Sequence, residues 1–192
     1  MATIDDRFSD WARTYEDDAL SRLLGRLGQQ ALTSLQLTPS DRFIDVGCGS
    51  GATVRPAAEI AGTAIGVDAC RATVERAREL APPDSGARFV TADVHHLPFK
   101  SGAFTAVACA LASRHFTDQD CAVDQMARVT AADGRLCLVD LFADPAPRSR
   151  LRRCQPYAHA LAAMRASGLR PAREAVDVTP FGPYFVCLAT RA

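Results

Sequence analysis

A glycine-rich turn follows an apolar segment near residue 47, and it is the part of the sequence best suited to bind a ligand. Gly47, Gly49 and Gly51 alternate with small residues within the run 43–54. Glycine accepts backbone conformations with positive φ and lets a ligand come close to the main chain. If a helix follows, its first N–H groups have no partner inside the helix and face the ligand. The pattern therefore predicts a strand, a ligand-binding turn and a helix.

The spacing of these glycines fits more than one ligand. Gly47, Gly49 and Ala52 satisfy the G-x-G-x-x-G/A spacing of dinucleotide-binding turns, so an NAD(P)-dependent or flavin oxidoreductase stays open on this evidence. Asp45 favours a different ligand, because strand alternation places its side chain on the same face as Gly47. A carboxylate at that position suits a cation and repels phosphates.

Three predicted strands each end in an aspartate, namely Asp45, Asp68 and Asp93. In an open α/β sheet the carboxyl ends of neighbouring strands border one crevice, where such folds bind ligands, and the acid of the second strand accepts ribose hydroxyls. Each of the later acids also has a structural interpretation. Asp68 could cap a helix that begins at Ala69, and Asp93 could be a turn residue ahead of Pro98. Their combination with the glycine turn favours ligand binding over an ordinary strand–helix turn.

The order of these motifs resembles a known enzyme family. The segments D-V-G-C-G-S-G at 45–51, G-V-D at 66–68 and D-V-H-H-L-P-F at 93–99 are similar to the D-V-G-C-G-x-G, G-x-D and D-A-x-x-L-P-F pattern of the small-molecule class I S-adenosylmethionine-dependent methyltransferases. The similarity continues through F-T-A-V, M-A-R-V and D-G-R-L-C-L-V-D, and so covers almost the whole chain. Thr105, Gln125 and the turn at 130–134 depart from the family pattern, away from the three strand-end acids.

The resemblance implies S-adenosylmethionine as cofactor and S-adenosylhomocysteine as its product. The amino-acid end of the cofactor is expected over Gly47 and Gly49, with its ammonium near Asp45 or the Gly47 carbonyl. The ribose is expected on Asp68 and the adenine amino group on Asp93. An N-terminal helix that closes over the cofactor is implied as well, although aromatic residues one turn apart are more often core contacts. The residues expected to bind the cofactor are Trp11, Arg13, Tyr15, Asp45, Gly47, Cys48, Gly49, Gly51, Asp68, Ala69, Ala92, Asp93, Val94, Cys109, Ala110 and Leu111.

Methyl transfer from a sulfonium needs few catalytic side chains, because alignment and exclusion of water do most of the work. A general base helps where the acceptor is a hydroxyl or an ammonium. His115 is the candidate base, since it follows the fourth strand in a loop that borders the acceptor pocket in the similar family, although a structural role is open too. Asp118, Asp120 and Asp140 do not resemble a metal motif, and we expect solvated acids and no metal. Arginines at 148–153 either bind an anionic acceptor or decorate an exposed helix.

Composition excludes several function classes. The chain has 192 residues with 48% hydrophobic content, enough for one domain. Its 22 basic and 22 acidic residues give no net charge that would attract nucleic acid or an anionic membrane. No apolar stretch approaches the roughly 20 residues of a spanning helix, and the first residues lack a signal-peptide pattern, so we expect a cytoplasmic protein. Seven scattered cysteines without a C-x-x-C pair indicate neither disulfides nor zinc.

The hydrophobic pattern predicts an α/β fold, with a Rossmann-like, doubly wound, seven-stranded and mostly parallel sheet whose last strand is antiparallel, flanked by helices. One or two helices are expected before Pro39, with Gly25 and Gly28 interrupting their period, and Gly168 is expected to cap a late helix. Strands are predicted near 42–47, 63–68, 87–91, 104–109 and 135–141, helices near 51–61, 70–81, 119–130 and 157–167, and a hairpin over 172–179 and 184–190.

These elements are read as a single methyltransferase domain, 1–192. It comprises an N-terminal helical lid at 1–38, a cofactor-binding core at 39–141, and a substrate-side helix with terminal hairpin at 142–192. The two outer segments are short, which predicts an open site unless a second copy of the chain covers it in a homodimer. The predicted function is S-adenosylmethionine-dependent methyl transfer to a small-molecule acceptor of specialised metabolism. An NAD(P)-dependent oxidoreductase and a non-catalytic cofactor-binding accessory protein are the alternatives.

Overall fold

The computed structural model describes residues 19–141, 157–179 and 182–191, and these residues build one sheet with helices on both faces. The strands are β1 (Arg42–Val46), β2 (Thr63–Asp68), β3 (Ala87–Thr91), β4 (Phe104–Ala110), β5 (Thr130–Leu141), β6 (Leu169–Thr179) and β7 (Gly182–Arg191). The helices are α1 (Ala19–Leu35), α2 (Val54–Ala58), α3 (Arg71–Leu80), α4 (Gln119–Val129) and α5 (Tyr157–Ala166), and short 3₁₀ turns occur at Val94–His96 and Ser113–His115.

The sheet order is β3-β2-β1-β4-β5-β7-β6. Strands β1 to β5 pair in parallel, whereas β7 runs antiparallel to both β5 and β6. Parallel neighbours require crossover connections, which the intervening helices and loops supply. The order departs from β1 in both directions along the sheet, so β1 and β4 flank the point where the winding reverses. The predicted fold class is confirmed.

The core lies on both faces of the sheet. On β1, Phe43 packs on one face with residues of α1, α2 and α3, whereas Ile44 and Val46 pack on the other face with residues of α4 and α5. All three side chains are fully buried. A strand that is apolar on both sides is typical of a parallel sheet covered by helices. The packing on both faces holds β1 in place and so positions the glycine turn that follows it.

Several predicted element boundaries were wrong for identifiable reasons. The helix expected over 51–61 forms only at Val54–Ala58. It cannot begin at Gly51, because that residue has a φ of +82°, outside the range of a right-handed helix. Gly25 and Gly28 do not interrupt α1, which continues through both. Strand β5 begins at Thr130 rather than near 135.

The C-terminal part follows the prediction more closely. Gly168 ends the turn after α5 with a φ of +78°, as expected of a helix-terminating glycine. The two last strands form the predicted antiparallel hairpin, extended at its ends to Leu169 and Arg191. Among the described helices, none combines the length and the apolarity needed to cross a bilayer.

Candidate functional site

A cavity of about 190 Å³ lies at the carboxyl ends of β1, β2, β3 and β4. Its position is the crevice where open α/β sheets bind ligands. The predicted site residues that line it are Asp45, Gly47, Cys48, Gly49, Asp68, Ala69, Ala92, Asp93, Val94, Ala110, Leu111 and His115. Gly51 and Cys109 lie outside the lining, and the predicted lid residues Trp11, Arg13 and Tyr15 lie outside the described part of the chain.

Gly47 and Gly49 shape the cavity in different ways. Gly47 has a φ of +79°, and a Cβ built on it would lie 2.4 Å from the Cβ of Ala112, so the turn packs directly against the end of β4. Gly49 has a φ of +52°, and a Cβ there would meet no atom within 4 Å. Because Gly49 also lines the cavity, the open space beside it is room that a ligand can occupy.

The third glycine of the turn has a packing role. A Cβ on Gly51 would lie 2.6 Å from the ring of Phe89, so this residue allows the turn to approach β3. Cys109 is fully buried on β4, where burial and the nearby Asp140 raise its thiol pKa well above the ordinary value. Both residues support the site from behind and do not face the cavity.

Asp45 is a buried carboxylate at the edge of the cavity. The residue is 2% exposed, and its Oδ1 has no hydrogen-bond partner among the described residues. Burial and the charge of Asp68 raise the pKa of Asp45 to about 7, against a smaller lowering effect of a hydrogen bond from Thr53. A nearby cation would stabilise the charged form of such a buried carboxylate. The arrangement suits a ligand that brings an ammonium group to the glycine turn.

Asp68 connects the glycine turn to the start of α3. Its Oδ2 accepts a hydrogen bond from the Gly49 N–H at 2.9 Å, and its Oδ1 accepts one from the Cys70 N–H at 2.9 Å. Burial raises the pKa of Asp68, and the hydrogen bonds that it accepts only partly offset this. The expected capping of a helix from Ala69 was wrong, because α3 begins at Arg71 and its N-cap residue is Cys70. The bond from the Cys70 N–H nevertheless gives Asp68 a structural role. This role does not displace the ligand interpretation, because the same carboxylate lines the cavity.

Asp93 lies at the end of the cavity formed by β3. Its Oδ1 accepts a hydrogen bond from the His95 N–H at 3.0 Å and caps the 3₁₀ turn Val94–His96. Partial burial favours the neutral acid, but the hydrogen bonds from His95 outweigh it and leave the pKa of Asp93 lowered. The carboxylate is therefore charged at neutral pH and presents acceptors to the cavity.

His115 lies in the 3₁₀ turn after β4, half-buried, with its residue in the cavity lining. The N–H of His115 donates to the Ala112 carbonyl at 2.9 Å, which holds the turn against the end of β4. Its role as a general base stays a prediction.

The expectation that Asp140 is a solvated acid was wrong. Its side chain is 2% exposed at the end of β5 and forms an ion pair with Arg114, in which Nη1 and Oδ1 are 2.7 Å apart. Asp140 also accepts hydrogen bonds from the Ser113 hydroxyl and from the Arg114 and Leu141 N–H groups. A buried charge persists where it is paired and hydrogen-bonded in this way. This network holds the 3₁₀ turn that contains His115 against the end of β5.

The other two acids of that group behave as expected. Asp118 and Asp120 are exposed, and Asp118 caps α4 by accepting a hydrogen bond from the Cys121 N–H at 2.9 Å. No cluster of three or more His, Cys, Asp or Glu side chains in the described ranges could hold a metal ion. The arginines at 148–153 lie outside those ranges.

Two glycines of α1 line the cavity, although they were not among the predicted site residues. Gly25 and Gly28 both face it from α1. A Cβ on Gly28 would lie 2.9 Å from the Thr53 hydroxyl, so α1 packs closely on the segment after the glycine turn. A Cβ on Gly25 would meet no described atom within 4 Å. Glycine inside an amphipathic helix costs stability, and this cost was the available signal that a close approach or a ligand requires it.

Comparison with known proteins decides the family. A family model described as a methyltransferase domain matches residues 44–138, which extend from β1 through the glycine turn to β5. The chain belongs to the class I S-adenosylmethionine-dependent methyltransferases.

Individual relatives agree with this assignment. The uncharacterised methyltransferase YcgJ of Bacillus subtilis is 33% identical over 142 residues, which cover 73% of this chain and 56% of the relative. A demethylmenaquinone methyltransferase of Beutenbergia cavernae is 30% identical over 141 residues, 72% of this chain and 58% of the relative. This methyltransferase chain thus spans somewhat more than half the length of these curated relatives.

The fold agrees with solved structures as well. The magnesium protoporphyrin IX methyltransferase of Synechocystis, solved with bound S-adenosylhomocysteine, superposes with a TM-score of 0.78. The two chains are 20% identical, and the superposition covers 98% of each. At this identity the likeness supports the fold, including the order of the strands that border the crevice.

Proposed function

We propose that this methyltransferase transfers the methyl group of S-adenosylmethionine to a small-molecule acceptor. The observation that carries the proposal is the buried Asp45 carboxylate, whose Oδ1 has no described hydrogen-bond partner and which lines the same cavity as Gly49. A diphosphate would bring negative charge to this carboxylate, which disfavours the oxidoreductase alternative. The ammonium of an amino-acid moiety would compensate it.

The residues of the crevice divide the work of binding. Asp45 would hold the ammonium group, Asp68 would accept hydrogen bonds from the ribose hydroxyls, and Asp93 would accept one from the adenine amino group. When bound, the cofactor supplies an electrophilic methyl group on a sulfonium. The backbone at Gly47 and Gly49 leaves room for the amino-acid end and fixes the position of that methyl relative to the acceptor.

The acceptor side of the crevice is formed by the turn after β4. His115 is proposed to take a proton from an acceptor hydroxyl or ammonium, which leaves a lone pair on the acceptor atom. That atom would accept the methyl group, and the cofactor would leave as the neutral thioether S-adenosylhomocysteine. The paired Arg114 and Asp140 hold this turn in place. We propose a small metabolite as acceptor, because the relatives described above are named for demethylmenaquinone and magnesium protoporphyrin IX.

A thermal-shift experiment separates the proposal from the oxidoreductase alternative. A ligand that binds the folded state raises the melting temperature by an amount that grows with the logarithm of its concentration relative to its dissociation constant. S-Adenosylmethionine and S-adenosylhomocysteine should raise it, and NAD(P) should not. The reverse result would support a dinucleotide enzyme.

A turnover experiment separates the enzyme from a non-catalytic accessory protein. The protein is incubated with methyl-labelled S-adenosylmethionine and a metabolite extract, with a demethylated naphthoquinol and a porphyrin as defined additional acceptors. Formation of S-adenosylhomocysteine together with a labelled product supports the proposal, and the same reaction with His115→Ala tests the proposed base. Cofactor binding without turnover on any acceptor would favour an accessory role. Sedimentation of the same sample tests the predicted homodimer.

A further inference from the structure

His95 lies at the adenine end of the crevice and connects two loops. Its Nδ1 is 2.6 Å from Asp93 Oδ1, and its Nε2 is 3.1 Å from the Asp118 carbonyl oxygen. The ring also packs edge-on against Phe116, with centroids 6.5 Å apart. The side chain of His95 is 16% exposed, so these contacts hold it in a largely enclosed position. The residue therefore joins the loop after β3 to the loop after β4.

The partners of the ring indicate that its Nδ1 carries a proton. A charged carboxylate can only accept hydrogen bonds, so Nδ1 carries the proton that lies between His95 and Asp93. Nε2 can accept from the Asp118 N–H, 3.3 Å away, when the ring is neutral, or donate to the Asp118 carbonyl when it is charged. Either form holds the ring in the same place.

This arrangement leaves one oxygen of Asp93 for a ligand. Oδ1 accepts from both the backbone N–H and the ring of His95, whereas Oδ2 has no hydrogen bond to any described residue. The Asp93 side chain is 56% exposed, and an exposed carboxylate without such contacts would rotate among several positions. The two bonds from His95 select one of them.

We propose that His95 is a positioning residue that orients Asp93 so that Oδ2 accepts a hydrogen bond from the 6-amino group of adenine. This inference rests on the proposed function. A purine with an oxygen at position 6 presents an acceptor to the same carboxylate, which repels it. His95 therefore contributes to the selection of adenine over 6-oxopurine through the orientation of Asp93.

The test measures binding of S-adenosylhomocysteine and of its 6-oxo analogue, S-inosylhomocysteine, by calorimetry. The protein should bind the adenine ligand at least about tenfold more tightly than the analogue, as expected for loss of a charge-assisted hydrogen bond. His95→Ala should weaken binding of the adenine ligand by about tenfold and binding of the analogue by less than about threefold. His95→Asn can place an N–H near the position of Nδ1 and should restore most of the preference.

The neighbouring His96 supplies the control. It is exposed, and its replacement by Ala should leave the affinities for both ligands unchanged. Equal weakening of both ligands by His95→Ala, or an unchanged preference for adenine, would overturn the proposal. Binding of the analogue shows that each variant is folded. If the unmodified protein binds neither ligand, the proposed function fails and this inference fails with it.

Discussion

The affinity of the protein for S-adenosylhomocysteine should depend on pH through Asp45. Without ligand, burial and the charge of Asp68 raise the pKa of Asp45 to about 7. An ammonium group at hydrogen-bond distance would favour the charged carboxylate and lower that pKa on binding. Below pH 7 the free protein must therefore release a proton before it binds, and the affinity falls.

The magnitude follows from linkage between protonation and binding. If the bound state keeps Asp45 charged, the affinity falls by about tenfold for each pH unit below 7 and is nearly constant above it. At about pH 6 the dissociation constant should thus be about tenfold higher than at about pH 8. Asp68, whose pKa burial also raises, adds a component of the same sign that grows toward lower pH.

Asp45→Asn isolates this effect. The variant should bind more weakly at about pH 8 and lose most of the pH dependence, with a slope below about threefold per unit, measured by calorimetry in two buffers of different ionisation enthalpy. The two buffers count the protons released, which should approach one per ligand near pH 6 for the unmodified protein. Full retention of the pH dependence in Asp45→Asn, or no proton release, would refute the reasoning.

The same substitution has the opposite effect on stability without ligand. The folded-state pKa of Asp45, about 7, is above its ordinary value of 3.8. The stability linked to this group is therefore fully present below about pH 4 and is lost as the pH rises through 7. The difference between the two pKa values corresponds to on the order of 4 kcal/mol as an upper bound, so Asp45→Asn should raise the melting temperature of the free protein at about pH 8. A lower melting temperature would contradict this.

Three further predictions concern the same crevice. Gly47→Ala should destabilise the protein by about 2–4 kcal/mol in urea unfolding, because Gly47 has a positive φ and lies against the methyl group of Ala112. Gly49→Ala should cost only about 1 kcal/mol of stability. It should nevertheless weaken binding of S-adenosylhomocysteine at least about tenfold, because the added methyl group occupies the space beside Gly49. Equal stability losses would contradict the different surroundings of the two glycines. Asp68→Ala should weaken the same ligand by about 1–3 kcal/mol in calorimetry without unfolding the protein, and unchanged affinity would remove its ribose role. Asp140→Ala should lower the free energy of unfolding by about 3–5 kcal/mol, since it leaves a guanidinium buried and unpaired, and a loss below about 1 kcal/mol would show that the pair is not needed.

The sequence predicted the fold and the centre of the crevice because both are encoded locally. The apolar segment before Gly47, the glycines and the strand-end acids lie close together in the chain and follow rules of strand alternation and turn geometry. The alternating strands and helices then allow few topologies. The sequence alone therefore predicted that the carboxyl edge of the sheet holds Asp45, Asp68 and Asp93.

The remaining features depend on partners that are distant in the chain. The burial of Asp140 requires Arg114 from another strand end, and no local pattern distinguishes a buried acid from a solvated one. The strand-end rule applied to β5 would nevertheless have brought Asp140 to the same edge. Gly25 and Gly28 were interpreted as breaks in a helix because their tertiary neighbours are not visible in the sequence. His95 pairs with Asp93, two residues away, but the bond that locks its ring comes from Asp118.

A crystal structure with S-adenosylhomocysteine bound tests the central claim most directly. The nucleoside should extend across the carboxyl ends of β1, β2 and β3, with its ammonium at hydrogen-bond distance from Asp45, its ribose on Asp68 and its 6-amino group on Asp93. An empty crevice at saturating ligand, or a nucleoside bound elsewhere or in the reverse orientation, would contradict it.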